Sequence, residues 1–279
     1  MAFNKYQQLS FHNLDCEIHY WFKKGNSDIY VILLHGAGCD HVMFEKQADI
    51  FSDDYNIIAW DARGHGLSKL EKKRKFDFKD MYNDCLKLFE IQKIEKAIII
   101  GHSMGGNLAQ EIAYNYPEMV SKLILIDCTK NTQKLSIVEK IIIKSSRLIF
   151  TCYPWKTLIK QSANACGNTE YTKEYVKQCF EKIEKEDFIE IMMSLFTCLH
   201  EDSEFKFKQP LLLICGNDDK SGNIKKTMKH WAEKEKIKLC MIKNAGHNSN
   251  QDNPDEVNKS ILLFTNSLKA VKSSRQTHE

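Results

Sequence analysis

The chain has 279 residues, 43% of them hydrophobic and 28% charged, with a formal charge of +3. That length can bury a sizeable core, and lysines interspersed with glutamates, as in Glu71-Lys72-Lys73-Arg74-Lys75, read as solvated surface rather than a nucleic-acid footprint. The first ten residues are polar, unlike a secretory leader, and Lys140, Lys144 and Arg147 interrupt the apolar run around residues 141–150, so no stable membrane insertion is expected.

In chain order, residues 10–22 alternate in short runs and read as an antiparallel pair with a turn near Lys24-Gly25-Asn26. Residues 29–34 are almost continuously apolar, as in a parallel strand covered on both faces. Similar runs at 56–60, 97–100, 122–126, 211–215 and 237–241 alternate with helical periodicity at 42–51, 78–91, 107–116, 224–234 and 254–268. This rhythm predicts βαβ units, hence the α/β class with a doubly wound, mostly parallel sheet. The rhythm breaks at residues 129–209, where four amphipathic stretches (135–150, 154–165, 172–183 and 188–199) occur without a convincing strand. Such a segment is too long for an ordinary loop. It is read as a helical cap inserted into a core made of residues 1–128 plus 210–279. The ten cysteines lack metal-type CxxC pairing, which points to free thiols in a reducing, cytoplasmic setting and to no metal site.

Gly101-His102-Ser103-Met104-Gly105 follows the apolar run at 97–100 and matches G-x-S-x-G, the pattern that lifts a serine onto a sharp strand-to-helix turn. Glycine on either side is needed where the turn leaves no room for side chains. A serine hydroxyl needs a base, and the base an orienting acid. Asp219 follows the strand at 211–215, and His247 follows the strand at 237–241. Loops at the carboxyl ends of a parallel sheet open on one side, so Ser103, Asp219 and His247 can converge. Two backbone N–H groups are expected to hold an oxyanion. Met104 supplies one, and Ala37, in His35-Gly36-Ala37-Gly38, the other, with Gly36 and His102 beside them in the binding site. Gly-Lys-Ser/Thr and the dinucleotide fingerprint are absent, and no cofactor is expected.

With these residues in place, the chain resembles a capped serine hydrolase of the α/β-hydrolase superfamily, of the carboxylesterase and lipase kind. The resemblance spans residues 18–268 and rests on the oxyanion loop at 35–38, the elbow at 101–106, Gly216 to Asp219 as G-x-x-D, and Gly246-His247. Asp61-Ala62-Arg63-Gly64-His65-Gly66-Leu67-Ser68 is similar to the family's D-x-R-G-x-G-x-S turn, in which Asp61 and Arg63 hold loop architecture by ion pairing. The resemblance implies Asp219 as the acid. Asp127, at the end of the strand at 122–126, occupies the position from which some relatives take it, and Asp218 adjoins Asp219. Superfamily members that open epoxides or release halide carry aspartate at the elbow, which Ser103 argues against.

The expected reaction is acyl transfer to water through an acyl-enzyme, acting on small or medium uncharged esters, thioesters or lactones. Phe150, Trp155, Phe180, Phe188, Met192, Met193 and Phe196 divide between the cap's own core and an apolar pocket, with Arg147 the single arginine near it. A binding protein or receptor on a hydrolase scaffold, and a carbon–carbon bond hydrolase, are the competing readings.

Overall fold

The computed structural model describes residues 2–71 and 74–266. The predicted helix end at Leu268, Lys72 and Lys73 of the charged run, and the end of the core at residue 279 lie outside the described residues. Eight strands form one sheet: β1 (Gln7–Asn13), β2 (Cys16–Lys23), β3 (Ile29–Leu34), β4 (Tyr55–Trp60), β5 (Ala97–His102), β6 (Val120–Ile126), β7 (Leu211–Gly216) and β8 (Lys238–Ile242). Their order is β1-β2-β4-β3-β5-β6-β7-β8. β1 and β2 are antiparallel, and β2 joins β4 antiparallel; every pairing from β4 onward is parallel. β4 and β5 are buried along their whole length, and β3, β6 and β7 nearly so, which is why these segments read as unbroken apolar runs.

The helices are α1 (Glu45–Ala48), α2 (Phe78–Ile91), α3 (Met104–Asn115), α4 (Ile137–Cys152), α5 (Trp155–Cys166), α6 (Glu170–Phe180), α7 (Lys185–Ser194), α8 (Ile224–Glu235), α9 (Ser249–Asp252) and α10 (Pro254–Asn266). α2 shows why: Asp77 caps its start by accepting from Lys79 N at 2.8 Å, and Phe78, Met81, Cys85, Leu88 and Phe89 recur at helical spacing on the buried face. Between β6 and β7 the described chain forms α4 to α7 and no strand. Each face of the sheet carries its own apolar core. One includes Trp60, Phe89 and Leu108; the other includes Phe44, Leu33 and Val257.

Three local expectations are corrected. The reversal between β1 and β2 falls at Leu14 and Asp15, with Leu14 at φ 55°, not at Lys24-Gly25-Asn26. Residues 24–26 instead carry the chain past β4 toward β3; a Cβ on Gly25 would stand 2.4 Å from the Tyr55 carbonyl carbon, so the close approach requires glycine. The helix expected at 42–51 is a 3₁₀ turn, His41–Phe44, running into the four-residue α1. The helix expected from residue 107 starts at Met104. Gly105 and Gly106 belong to it despite their low helix propensity, because Leu34 O and Cys128 Sγ would lie 2.0 and 2.5 Å from any Cβ placed there.

Candidate active site

The order of strands reverses around β3, which lies between β4 and β5, and the loops leaving β3 and β5 open at that switch point. Ser103 sits at the apex after β5, with φ 47° and ψ −115°, a strained backbone for a residue with a side chain. The turn is over-determined. Ser103 N donates to Ile126 O at 2.9 Å, and Cβ atoms on Gly101 or Gly105 would collide with Gly105 O at 2.3 Å and Leu34 O at 2.0 Å. The serine therefore projects from a locked backbone into a cavity of about 400 Å³, which Gly36, Ala37, His102 and His247 also line.

His247 and Asp219, both buried, meet at 3.1 Å between Nδ1 and Oδ2. Burial disfavours the imidazolium, but the hydrogen bond and charge of Asp219 outweigh it and hold the His247 pKa above the ordinary histidine value. Burial likewise pushes the Asp219 carboxyl up, yet His247 and the Ser221 amide, which donates to Oδ1 at 2.7 Å, bring it below the usual carboxylate range. Ser103 and His247 face the same cavity without a hydrogen bond between them, a contact that in hydrolases tightens as substrate seats. Among the described residues neither Ala37 N nor Met104 N donates to another protein group, and Met104 opens α3, where the helix dipole favours negative charge.

The neighbours of the predicted residues do work that sequence alone does not reveal. His102 lines the cavity, but its Nε2–H donates to the His247 carbonyl at 2.8 Å, tying the serine turn to the histidine loop. Burial, reinforced by His247, lowers its pKa to about 3, so the ring is neutral. A Cβ on Gly36 would stand 2.5 Å from His102 Nδ1, so a side chain there would displace the ring that ties the two loops. Asp127 is turned to a different task from Asp219. It accepts from Gly216 N at 2.7 Å and from Ser249 Oγ at 2.5 Å, strapping β7 to α9, and burial pushes its pKa up to about 7. Asp218 accepts from Asn168 Nδ2 at 2.9 Å.

Asp61 and Arg63 do hold architecture, though not by pairing with each other. Asp61 takes His41 Nδ1 at 2.8 Å and Leu67 N at 2.7 Å, while Arg63 forks onto Asp84 at 2.6 and 2.8 Å. Arg147 does not face the cavity; it is exposed and clasps Glu190 at 2.8 and 3.0 Å. Phe150, Phe180, Phe188, Met192 and Phe196 do line it, whereas Trp155 packs on Phe188 at 5.3 Å between ring centres. Asp127, Cys215 and Asp219 bring three potential ligand atoms within 4.8 Å. Burial pushes the Cys215 thiol up, and both carboxylates are already engaged, Asp127 by Gly216 N and Asp219 by His247 Nδ1.

Sequence reasoning missed the cap's anchor. Asp252 accepts from Gly246 N at 2.8 Å and from Asn168 N and Thr169 N at 2.8 and 2.9 Å, while Asn248 N donates to Cys166 O at 2.7 Å. The histidine loop and the α5–α6 turn are thereby joined. Tyr175 adds a second tie, its hydroxyl 2.9 Å from Asp40 Oδ1 beside the Ala37 loop. No short motif marks these contacts, because all but Gly246 to Asp252 join residues far apart in the chain.

Residues 25–253 match the family model described as Serine aminopeptidase, S33. The chain is similar to an uncharacterized protein of Mycobacterium bovis, 28% identical over 120 residues that make up 43% of this chain and 35% of that protein. It thus spans about a third of the length of the first curated relatives it matches. It is also similar to human epoxide hydrolase 4, 26% identical over 84% of this chain and 71% of that protein. Among solved structures, a thermophilic esterase from Thermogutta terrifontis superposes with a TM-score of 0.75 at 20% identity, covering 93% of this chain and 98% of that one.

Proposed function

The chain belongs to the Serine aminopeptidase, S33 family of the α/β-hydrolase superfamily, and from that premise we propose that it hydrolyses small or medium uncharged carboxylic esters, or the related thioesters and lactones. Ser103 is assigned as nucleophile, His247 as base and then acid, Asp219 as its orienting carboxylate, and the Ala37 and Met104 amides as the oxyanion hole. Residues 129–209 are assigned as the cap over this site. His247 takes the Ser103 proton, Ser103 attacks the carbonyl, and the developing oxyanion meets two fixed N–H groups, each worth about 3–4 kcal/mol in the transition state. His247 then protonates the leaving group, and water releases the acyl chain by the same steps in reverse.

The observation that carries this reading is the convergence of a strained serine, the free Ala37 amide and a carboxylate-bound histidine on one cavity, with the free Met104 amide next to the serine in the chain. The substrate class rests on the walls. The cap supplies aromatic and methionine side chains, and among the described residues lining the cavity there is no aspartate or glutamate to receive a peptide's free amine. Serine at the elbow argues against epoxide opening. All ten cysteines are free, in keeping with a cytoplasmic setting, and among the described residues no helix is long and apolar enough to cross a membrane. Purified protein should turn over a panel of p-nitrophenyl esters, fastest at short or medium acyl length. Exclusive cleavage of long-chain triglycerides or charged peptides would contradict the substrate class, and tight ligand binding without turnover would favour the receptor reading.

A further inference from the structure

α4 is the one helix of eight or more residues, among those described, with no buried residue. Ile137, Val138, Ile141, Ile142, Leu148 and Ile149 are 53–79% exposed, and they make up six of the twelve exposed large hydrophobic residues of the described chain. Scattered exposed aliphatics are ordinary, but six on one helix are not. At about 100° per residue, these six fall within an arc of about 140°. Ile143 and Phe150, partly buried, face the opposite way, and Phe150 reaches the cavity wall. Lys140, Lys144 and Arg147 lie along one margin of the apolar arc. Lys144 has no acidic partner among the described residues; Lys140 pairs with Glu201 in an exposed contact of the kind that contributes little, while Arg147 is held by its two-bond clasp on Glu190.

We propose that α4 is an interfacial helix that docks the cap reversibly on an anionic lipid surface, its aliphatic face in the headgroup–acyl boundary and its basic margin among the phosphates. Large aliphatics on one face with lysine and arginine beside them are the features that hold a helix in that plane. Charge selects lipid over a second copy of the chain. An antiparallel two-fold pairing through this face would bring the two basic margins together, whereas anionic headgroups complement them. Docking of this kind is adsorption, compatible with the lack of any spanning helix among the described residues. It does not depend on the chemistry at Ser103. It would bring the cavity wall at Phe150 within about one helix diameter, roughly 10 Å, of the lipid.

The test is flotation of the full chain with equimolar phosphatidylcholine–phosphatidylglycerol vesicles, compared with phosphatidylcholine alone. Binding is expected to the anionic vesicles, weakened by salt, and to fall about tenfold or more in the double variant Ile141→Glu, Leu148→Glu. That variant should keep the melting temperature and the turnover of a water-soluble ester. Lys144→Gln, an exposed change that leaves the aliphatic face intact, should weaken anionic binding about fivefold and decides the matter if the double variant does not fold. Failure of the wild type to float would overturn the proposal, as would flotation indifferent to these changes. A wild-type dimer in sedimentation velocity that the double variant converts to monomer would overturn it in favour of a second copy.

Discussion

The strand-end loops and the helical insert line the same cavity but are held by different forces. In the loops, nearly every orientation is fixed by buried backbone contacts: Ser103 N on Ile126 O, His102 Nε2 on His247 O, and Gly216 N on Asp127. The insert is held by aromatic packing of Phe180, Phe188 and Trp155 and by a few polar anchors at Asp252, Cys166 and Tyr175, while α4 turns an aliphatic face outward. Fixed dipoles suit a transition state that must be met without reorganisation, and apolar packing suits a pocket that selects by size. The contrast predicts that substitutions in the loops change the reaction, and substitutions in the insert change what enters it.

The largest expected effect is Ser103→Ala, which should lower ester turnover by about 10⁴-fold or more, because members of a triad act as one unit. The melting temperature should hold, since alanine keeps the backbone contacts of the turn. Turnover within tenfold of wild type would break the assignment of chemistry to the loops.

Asp219→Asn should cost about 10⁴-fold in kcat by offering His247 the wrong tautomer. It should also move the pH profile. His247 works as a base only when neutral, so its raised pKa sets the acid limb of kcat/KM above the ordinary histidine value of about 6.5, and the variant should shift that limb down. The sign for stability runs the other way. The raised His247 pKa contributes stability that is complete below about pH 6.5 and is lost as pH rises through the folded value. The lowered Asp219 pKa contributes stability present above about pH 3.9 and lost as pH falls through its folded value. Asp127→Asn, in contrast, should move the acid limb down less than Asp219→Asn does while lowering stability, because Asp127 straps β7 to α9 and acts on His247 through its charge alone, without a hydrogen bond. A profile that moved with Asp127 and stood still with Asp219 would reverse the two roles.

A smaller effect is expected at the anchor between the regions. Asp252→Asn weakens a charged acceptor shared by the histidine loop and the α5–α6 turn, and each such bond is worth about 1.5–3 kcal/mol. Thermal unfolding should shift to lower temperature; an unchanged transition would mean that the cap is held elsewhere. The smallest effect belongs to the cavity wall. Met192→Ala should leave kcat for short esters nearly unchanged and move the preferred acyl chain longer, by roughly fourfold in selectivity per methylene accommodated.

The same contrast explains what the amino-acid sequence disclosed. The loops were legible because their glycines sit in short motifs after apolar strands, G-x-S-x-G, Gly216 to Asp219 and Gly246-His247, although the backbone that Gly105 and Gly216 avoid, Leu34 O and Gly246 O, comes from other loops and strands. Family resemblance favours Asp219 over Asp127, and it is Asp219 whose carboxylate lies on His247 Nδ1. The misplaced hairpin turn shows the limit of that logic. Gly25 marks a close approach to Tyr55, thirty residues away in the chain, while the real turn puts Leu14 at φ 55° between Asn13 and Asp15, with no glycine to mark it. The helices between β6 and β7 were legible as periodicity, yet α4 was not legible as an exposed element. A helix that packs an apolar stripe inward and one that presents it outward have the same pattern, and only the tertiary placement separates them.

The central claim, that Ser103 is an activated nucleophile, is tested most directly by labelling the intact protein with a fluorophosphonate and mapping the adduct by peptide mass. A single adduct on the peptide containing Ser103 is expected, absent in Ser103→Ala and formed much more slowly in His247→Gln. Labelling at another residue, or a folded protein that takes no label, would contradict the account.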